Sequence, residues 1–230
     1  MPLVARFHTG APCQNMQNII AAYKSFFTSP RRRALYVALF ILALSLVFQY
    51  FAGVYSAHVA TQYVGDLLLD HLPVVNLNLI IVEGALWAIL VSTVLVLAKP
   101  RYIIFSIKTV SIFLAIRAVF VAVTHLGIYP GQIVPGPGPF DSLYVALGLQ
   151  TGYFFSAHTG LPLLMAFIFW NEKFWRLAYL ATSAIFGISV LLAHVHYSID
   201  VLAAPFMTYS IFKLAQYLFK EDWQLITHVS

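Results

Sequence analysis

The chain has 230 residues, of which 61% are hydrophobic and only 9% are charged, and its mean hydropathy is +0.84. A soluble domain of this composition would lack the polar side chains that cover a surface in contact with water, so we expect an integral membrane protein. The net charge of +5 does not indicate nucleic acid as a partner, because positively charged cytoplasmic loops explain it more simply.

Cys13 is the only cysteine, and no second thiol or histidine pattern surrounds it. A single cysteine cannot form an internal disulfide, and it does not make a metal-binding motif. We therefore expect neither zinc nor redox chemistry at this position. No metal and no cofactor is predicted for the chain.

An N-terminal segment, residues 1–33, precedes the first long apolar run. Within it, "MQNIIAAYKSFF" (16–27) repeats apolar side chains at helical spacing, which predicts a short amphipathic helix lying in the membrane interface. Three arginines, Arg31 to Arg33, follow this stretch, and no small-residue cleavage site closes the next apolar run. The segment is therefore predicted to be a cytoplasmic anchor rather than a signal peptide.

Six apolar runs follow, and their lengths suit helices that cross a hydrocarbon core of roughly 30 Å, which takes about 20 residues. The predicted spans are 34–56, 77–98, 102–126, 154–171, 177–195 and 199–218. We therefore predict an all-α integral membrane fold, in which residues 34–218 form a six-transmembrane helix bundle and the amphipathic helix precedes it. Residues 219–230 are predicted to be a cytoplasmic C-terminal tail.

The lysines and arginines outside the spans fall on one side of the bundle. They precede the first span, lie between the second and third and between the fourth and fifth, and occur at or after the end of the last. The other three loops, at about 57–76, 127–153 and 196–198, contain neither lysine nor arginine. The positive-inside rule therefore predicts a multi-pass protein with both termini in the cytoplasm and these three loops on the extracytoplasmic face.

Polar residues that can do chemistry cluster at the predicted extracytoplasmic ends of the spans. "FSAHTG" (155–160) places His158 at the start of the fourth span, and "LLAHVHYSIDV" (191–201) places His196 and Asp200 between the fifth and sixth. Four residues separate His196 from Asp200, so they share one face if a helix begins near His196, and the carboxylate can accept the imidazole N–H. Arg117 lies near the same end of the third span, and a charge inside a membrane indicates a function because it is costly.

Two histidines, a carboxylate and an arginine can together carry out phosphoryl transfer without a metal. One histidine attacks phosphorus, the other protonates the leaving oxygen, the aspartate orients the nucleophile, and the guanidinium neutralises the phosphoryl oxygens. Glu83, near the same end of the second span, has three open interpretations: a partner of Arg117, a member of the site, or an interfacial residue.

The same stretches resemble the motifs of a known enzyme family. "GYFFSAHTG" (152–160) is similar to the Ser-Gly-His-Thr motif, and "AHVHYSIDV" (193–201) to the His-Tyr-Thr-Val-Asp-Val motif, of sphingomyelin synthases and their relatives in the type-2 phosphatidic acid phosphatase superfamily. "RAVFVAVTHLGIYPG" (117–131) resembles their upstream arginine segment, and "DLLLDHLP" (66–73) more loosely resembles their first-loop aspartate motif. The likeness covers about residues 60 to 215, in the same order and with six spans.

This resemblance implies a role for each matching residue. His196 would be the nucleophile, Asp200 its partner and His158 the acid for the leaving group. The residues that would bind substrate are Arg117, Ser156, Thr159 and Tyr197. The sequence departs from the sphingomyelin synthases at Gly152, six residues before His158, where those enzymes carry an aspartate.

The implied activity is a membrane lipid phosphotransferase with its active site on the extracytoplasmic face. It would move the head-group phosphate of a phospholipid donor, through a phosphohistidine, to a lipid alcohol such as ceramide or diacylglycerol. A lipid phosphate phosphatase of the same superfamily, with water as acceptor, is the first alternative. A catalytically silent transport or scaffold protein that keeps the fold is the second, and neither the head group nor the oligomeric state follows from the sequence.

Overall fold

A computed structural model of the chain describes residues 20, 23–24, 26–134, 139–146 and 152–227. These residues form helices and, within the described ranges, no β-strand. The helices from residue 29 onward are α1 (Ser29–Val59), α2 (Leu79–Ala98, whose first turn is a π-helix), α3 (Pro100–Val123), α4 (Pro139–Ala146), α5 (Ala157–Ile168), α6 (Lys173–Leu192), α7 (Ser198–Leu218) and α8 (Lys220–Thr227).

The prediction of an all-helical fold is confirmed for the described residues, and their apolar helices are compatible with a membrane protein, but the six predicted spans are not confirmed. Four helices, α1, α2, α3 and α6, are long and apolar enough to cross a membrane. The fourth predicted span contains α5, whose 12 residues reach only about 18 Å at 1.5 Å per residue. The sixth contains α7, which has 21 residues but includes Asp200 and Lys213 and is not among these four apolar helices.

The first helix has the residue distribution of a membrane helix rather than that of a soluble one. Its buried face consists of small or polar residues, whereas large apolar side chains such as Phe40 and Phe51 point outward. Small residues let helices pack closely in a membrane, where apolar side chains can face lipid. This face of α1 packs along α3.

The core of the bundle brings α5 close to α3. Phe113 of α3 and Phe155, just before α5, are fully buried and pack edge to face with ring centroids 5.3 Å apart. Gly160 permits this approach, because a Cβ there would lie 2.8 Å from the ring of Phe113. Since α5 also packs between α6 and α7, its first turn lies beside the junction of those two helices.

The opposite end of the bundle is held together by ion pairs. Lys99 pairs with Glu172 across two loops, and Lys108 Nζ lies 2.6 Å from Asp222 of α8. The predicted C-terminal tail thus contains a helix that packs on the core. Most of the predicted amphipathic helix, 16–27, lies outside the described residues, although Tyr23 donates a hydrogen bond to the Leu97 carbonyl at this end.

Candidate active site

His196 and Asp200 lie where α6 ends and α7 begins, and they form the hydrogen bond that their spacing predicts. Nδ1 of His196 is 3.1 Å from Oδ2 of Asp200. Asp200 lies in the first turn of α7, where the helix dipole favours a negative charge, and its side chain is fully buried. Because a carboxylate only accepts hydrogen bonds, Nδ1 carries the ring proton and the lone pair lies on Nε2. Nε2 is therefore the nitrogen that can act as nucleophile or base.

Asp200 also joins the two histidine-bearing stretches. Its carboxylate accepts the backbone N–H of Tyr197 at 3.1 Å and that of Phe154 at 2.9 Å, and its backbone carbonyl accepts the N–H of Ser156 at 2.9 Å. Phe154 has φ of +63°, a left-handed conformation that bulky residues rarely adopt. Such backbone strain persists only where neighbouring contacts hold it, and it is typical of functional sites.

His158 lies in the first turn of α5, beside His196. The centroids of the two imidazole rings are 5.8 Å apart. A hydrogen bond reaches about 2.6–3.2 Å, so a single phosphate group between the rings can contact both. His158 is 9% exposed, and its Nδ1 is buried without a hydrogen-bond partner among the described residues. A buried polar atom of this kind is unusual, and it can hydrogen bond to a ligand.

The other ring nitrogen of His158 contacts Tyr144 of α4. The Tyr144 hydroxyl is 2.7 Å from Nε2 of His158, and the tyrosine is almost fully buried. Burial raises the pKa of Tyr144 well above its ordinary value, although the charge of Arg117 opposes the shift, so the hydroxyl keeps its proton. The sequence analysis did not identify Tyr144, because no spacing rule connects a tyrosine in a proline-rich loop with a histidine of the next helix.

Backbone carbonyls hold the guanidinium of Arg117 in place. Arg117 is 5% exposed; its Nε donates to the Phe155 carbonyl at 3.1 Å, and a terminal nitrogen donates to the Gly152 carbonyl at 2.9 Å. Gly152 has φ of +92°, and a Cβ there would lie 2.4 Å from a methyl group of Val121. An aspartate therefore does not fit at Gly152 without displacing α3. The remaining N–H groups of Arg117 can donate to an anion.

A cavity of about 320 Å³ connects these groups. Its polar lining residues include Asn78, Arg117, Gln132, Tyr144, His158 and His196. Guanidinium, imidazole and amide groups all donate hydrogen bonds, and a site that converges such donors suits an anionic ligand such as a phosphate ester. Asn78, at the start of α2, and Gln132, in a loop, belong to no motif, so the sequence alone did not identify either of them.

Ser156, Thr159 and Tyr197, the other predicted substrate-binding residues, do not line this cavity. Ser156 is the N-cap of α5, and its side chain accepts the N–H of Thr159 at 3.3 Å. The Thr159 hydroxyl is buried without a partner, and Tyr197, just before α7, donates to the Gly127 carbonyl at 2.8 Å. Their contact with substrate stays a prediction, whereas their positions at the helix starts orient the two histidines.

The first-loop aspartates support the start of α7. Asp66 accepts the backbone N–H of Ser198 at 2.7 Å and that of Leu69 at 3.2 Å. Burial alone would raise the pKa of Asp66, but these backbone hydrogen bonds outweigh it and lower the pKa below its ordinary value of 3.8. Asp70 accepts a hydrogen bond from the hydroxyl of Tyr129. In this structure, the "DLLLDHLP" stretch therefore positions the segment that carries His196.

A second cavity, of about 210 Å³, lies on the other side of His158. It is formed between α2, α5 and α6, and Tyr144 and His158 belong to the linings of both cavities. Most of its other lining residues are apolar, among them Ala85, Ile89, Leu161, Met165 and Phe186. An apolar space thus adjoins the polar cavity at the two residues that share a hydrogen bond.

Glu83 does not form an ion pair with Arg117 within the described ranges, and one of its carboxylate oxygens is buried without a hydrogen-bond partner.

In the part of the chain that the structure describes, no three His, Cys, Asp or Glu side chains converge in a way that could hold a metal ion. Cys13 lies outside the described residues.

Comparison of the chain with protein-family models, with curated proteins and with solved structures gave no match in any of the three.

Proposed function

We propose that the chain is an integral-membrane lipid phosphotransferase of the sphingomyelin synthase type. The observation that carries this proposal is the His196–Asp200 pair, hydrogen bonded at 3.1 Å, beside His158 at a ring separation of 5.8 Å, in a cavity that also holds Arg117. A nucleophile with an orienting carboxylate, a second acid–base group and a fixed cation are what phosphoryl transfer through a histidine requires.

In the first step, Nε2 of His196 attacks the phosphorus of a phospholipid. The bond between phosphorus and the glycerol oxygen of the lipid breaks, and His158 gives its proton to that oxygen. Diacylglycerol leaves, and the phosphorylated head group stays bound to His196 through an N–P bond. Asp200 stabilises the positive charge on the ring, and Arg117 neutralises the phosphoryl oxygens.

In the second step, His158, now without its proton, acts as the base. It takes the proton of an acceptor hydroxyl, the hydroxyl oxygen attacks phosphorus, and the N–P bond to His196 breaks. Both histidines return to their starting protonation states, so the cycle balances without a further reactant. Ceramide or diacylglycerol as acceptor makes the protein a transferase, and water as acceptor with phosphatidic acid as donor makes it a phosphatase that releases phosphate.

The second cavity favours a lipid as the molecule that gains or loses the phosphate. Its apolar lining begins at His158, where the leaving oxygen would receive its proton. The hydrocarbon part of a lipid alcohol is stabilised by transfer into such an apolar space, whereas a water acceptor does not need one. This observation supports a lipid substrate, and the leaving diacylglycerol would occupy the same space in the transferase and in the phosphatase.

We also propose that both termini lie in the cytoplasm and that the site faces the extracytoplasmic side, because the loops around the site lack lysine and arginine. Ser142 of α4 is exposed. A Ser142→Cys variant in a Cys13→Ser background should react with an impermeant thiol reagent from outside intact cells. Labelling only after the cells are made permeable would place the site on the cytoplasmic side instead.

A turnover assay separates the candidate functions. Purified protein receives phosphatidylcholine or phosphatidylethanolamine labelled in the head group, or labelled phosphatidic acid, each with and without ceramide or diacylglycerol. Label in a new lipid that requires the added acceptor identifies a transferase, and release of labelled phosphate to water identifies a phosphatase. Absence of turnover with every donor would contradict both and favour the silent transport or scaffold protein.

A further inference from the structure

Gln132 lines the polar cavity from a turn that fixes its backbone. In "YPGQ" (129–132), the N–H of Gln132 donates to the backbone carbonyl three residues earlier at 3.1 Å, and Gly131 has φ of +79°. Proline at the second position and a glycine with positive φ at the third are typical of a type II turn. The N–H of Ile133 donates to the Ala193 carbonyl at 3.0 Å, which ties the turn to the junction of α6 and α7.

A tyrosine holds the side-chain amide of Gln132. The hydroxyl of Tyr153 lies 2.7 Å from Oε1 of Gln132, and the ring of Tyr153 packs edge to face against that of His196, with centroids 6.4 Å apart. Burial raises the pKa of Tyr153 well above its ordinary value, so the hydroxyl keeps its proton and can donate it. The amide of Gln132 is thus held next to the ring that packs on the nucleophile.

The direction of this hydrogen bond leaves the amide nitrogen for a ligand. An amide carries one acceptor oxygen and two N–H donors. If Oε1 accepts from Tyr153, both N–H groups of Nε2 are left, and nothing among the described residues accepts from them. The reversed amide would leave Oε1, one N–H and the hydroxyl proton of Tyr153 unpaired in the same part of the chain. The hydrogen bonds therefore favour the first orientation, in which Nε2 is the free donor.

The polar cavity suits a head group that accepts hydrogen bonds. In the proposed reaction the lipid part leaves toward the apolar cavity at His158, and the head group stays in the polar one. The residue with a permanent charge in the described lining is Arg117, a cation that pairs with the phosphate. A glycerol hydroxyl can accept an amide N–H beside that phosphate, whereas the trimethylammonium of choline has no lone pair to do so.

We propose that Gln132 is a head-group-binding residue, whose amide N–H groups donate to the hydroxyl oxygens of an uncharged head group such as glycerol, and that Tyr153 positions the amide. This inference rests on the proposed function, and it narrows the donor to phospholipids with hydroxyl-bearing head groups in preference to choline. No bond forms or breaks at Gln132, which contributes to binding before and after the transfer.

The first experiment measures binding without any reaction. The stabilisation of the purified protein by added glycerol 3-phosphate, phosphocholine or inorganic phosphate gives a Kd for each probe. We expect Gln132→Ala to weaken glycerol 3-phosphate by about 3–10-fold, the effect of one hydrogen bond, and to leave the other two Kd values within about twofold of wild type. Equal losses for all three probes would overturn the proposal, because they would place Gln132 at the phosphate itself. An unchanged Kd for glycerol 3-phosphate, or no binding of it to wild type, would overturn it as well.

Gln132→Glu is the sharper variant. Its carboxylate still accepts from Tyr153, but it has no N–H to donate and can pair with the ammonium of choline. The ratio of the Kd for glycerol 3-phosphate to the Kd for phosphocholine should therefore rise by about tenfold or more. Gln62→Glu is the matched control, because it adds the same charge to an exposed residue of the first loop that does not line the cavity. A control that changes the ratio as much as Gln132→Glu would contradict the proposal.

Turnover tests the same preference in the reaction. With one acceptor, kcat/KM for phosphatidylglycerol should exceed that for phosphatidylcholine in wild type, and Gln132→Glu should reverse the order; an unchanged order would overturn the proposal. Tyr153→Phe should lower kcat/KM for phosphatidylglycerol by about threefold, and it should cause no further loss in a Gln132→Ala background. A further loss would contradict the positioning role of Tyr153. Wild type that turns over neither lipid would refute the proposed function, and the binding series would still decide the role of Gln132.

Discussion

The two ends of the helix bundle differ in how completely their polar groups are paired. At the end opposite the site, Lys99 pairs with Glu172 and Lys108 pairs with Asp222. At the site end, Nδ1 of His158 and Nε2 of His194 are buried without partners in the part of the chain that the structure describes. The non-glycine residues with positive φ among those described, Phe154 and His194, also lie at the site end.

This difference separates stability from function within one bundle. An end held by ion pairs contributes to the free energy of unfolding, and the Ser106 hydroxyl is the buried side-chain atom near it that has no partner among the described residues. An end with strained backbone and unpaired donors is less stable than it could be, and it can gain stability when a ligand supplies the missing hydrogen bonds. Substitutions at the site end should therefore mainly lower turnover, and substitutions at the opposite end should mainly lower the free energy of unfolding.

The largest expected effect is that of His196→Ala on turnover. Removal of the nucleophile should lower activity by about 10⁴–10⁶-fold, as removal of a member of a catalytic triad does. The thermal midpoint should change little by comparison. His71→Ala is the control. His71 is exposed in the first loop, and among the described residues its ring forms a hydrogen bond only with the Leu67 carbonyl of its own loop. Turnover by this variant should stay within twofold of wild type.

The next largest effect is that of His158→Ala, and it should depend on the leaving group. Proton donation contributes about 10²–10⁴-fold where negative charge would otherwise develop on the leaving oxygen. We therefore expect a loss of this size on a natural phospholipid and a much smaller one on a nitrophenyl phosphodiester. If both substrates lose activity equally, His158 serves phosphate binding or the start of α5 and the proton comes from another group.

A change at the opposite end should affect stability but not catalysis. Lys108→Met leaves the carboxylate of Asp222 without its partner, where the two side chains are 15% and 14% exposed. Loss of a hydrogen bond to a charged group costs about 1.5–3 kcal/mol of unfolding free energy. The double variant Lys108→Met/Asp222→Asn should recover part of this loss. A large fall in kcat for the stable fraction of Lys108→Met would contradict the separation of the two ends.

The smallest expected effect concerns Asp66, which supports the start of α7. Asp66→Ala removes acceptors for backbone N–H groups at a helix start, and such a loss costs about 0.5–2 kcal/mol. The pKa of Asp66 is lower in the folded state than its ordinary 3.8. The charged carboxylate of Asp66 therefore makes its full contribution to the free energy of unfolding above pH 3.8. This contribution is lost as the pH falls through the pKa that Asp66 has in the folded protein. The thermal midpoints of wild type and variant should converge in this acid range, and a constant difference would show that the charge of Asp66 is not involved.

The helices and the histidine–aspartate pair could be predicted because both depend on local sequence. Apolar runs determined the positions of the helices to within several residues, and a spacing of four residues placed His196 and Asp200 within hydrogen-bond distance. That the fourth predicted span, 154–171, crosses a membrane stays a prediction. Ser156 caps α5 at one end, and the helix stops at Ile168, so the regular helix is shorter than the apolar run.

Contacts between residues far apart in sequence could not be predicted. Tyr144 reaches His158 because α4 folds back over the cavity, and Lys108 meets Asp222 although 114 residues separate them. Lys108 lies within the predicted span 102–126, and nothing in the sequence identifies Asp222 as its partner. The role of Gly152 also depends on packing, since only the position of Val121 explains why a Cβ is excluded there.

The most direct test of the central claim is to trap the covalent intermediate. Wild-type protein mixed with a phospholipid and quenched in base should carry the phosphorylated head group on Nε2 of His196, as mass spectrometry and phosphohistidine isomer analysis would show. His196→Ala should carry none, and His158→Ala supplied with a nitrophenyl phosphodiester should still form the adduct. An adduct on His158, or one that persists in His196→Ala, would contradict the assignment of His196 as the nucleophile.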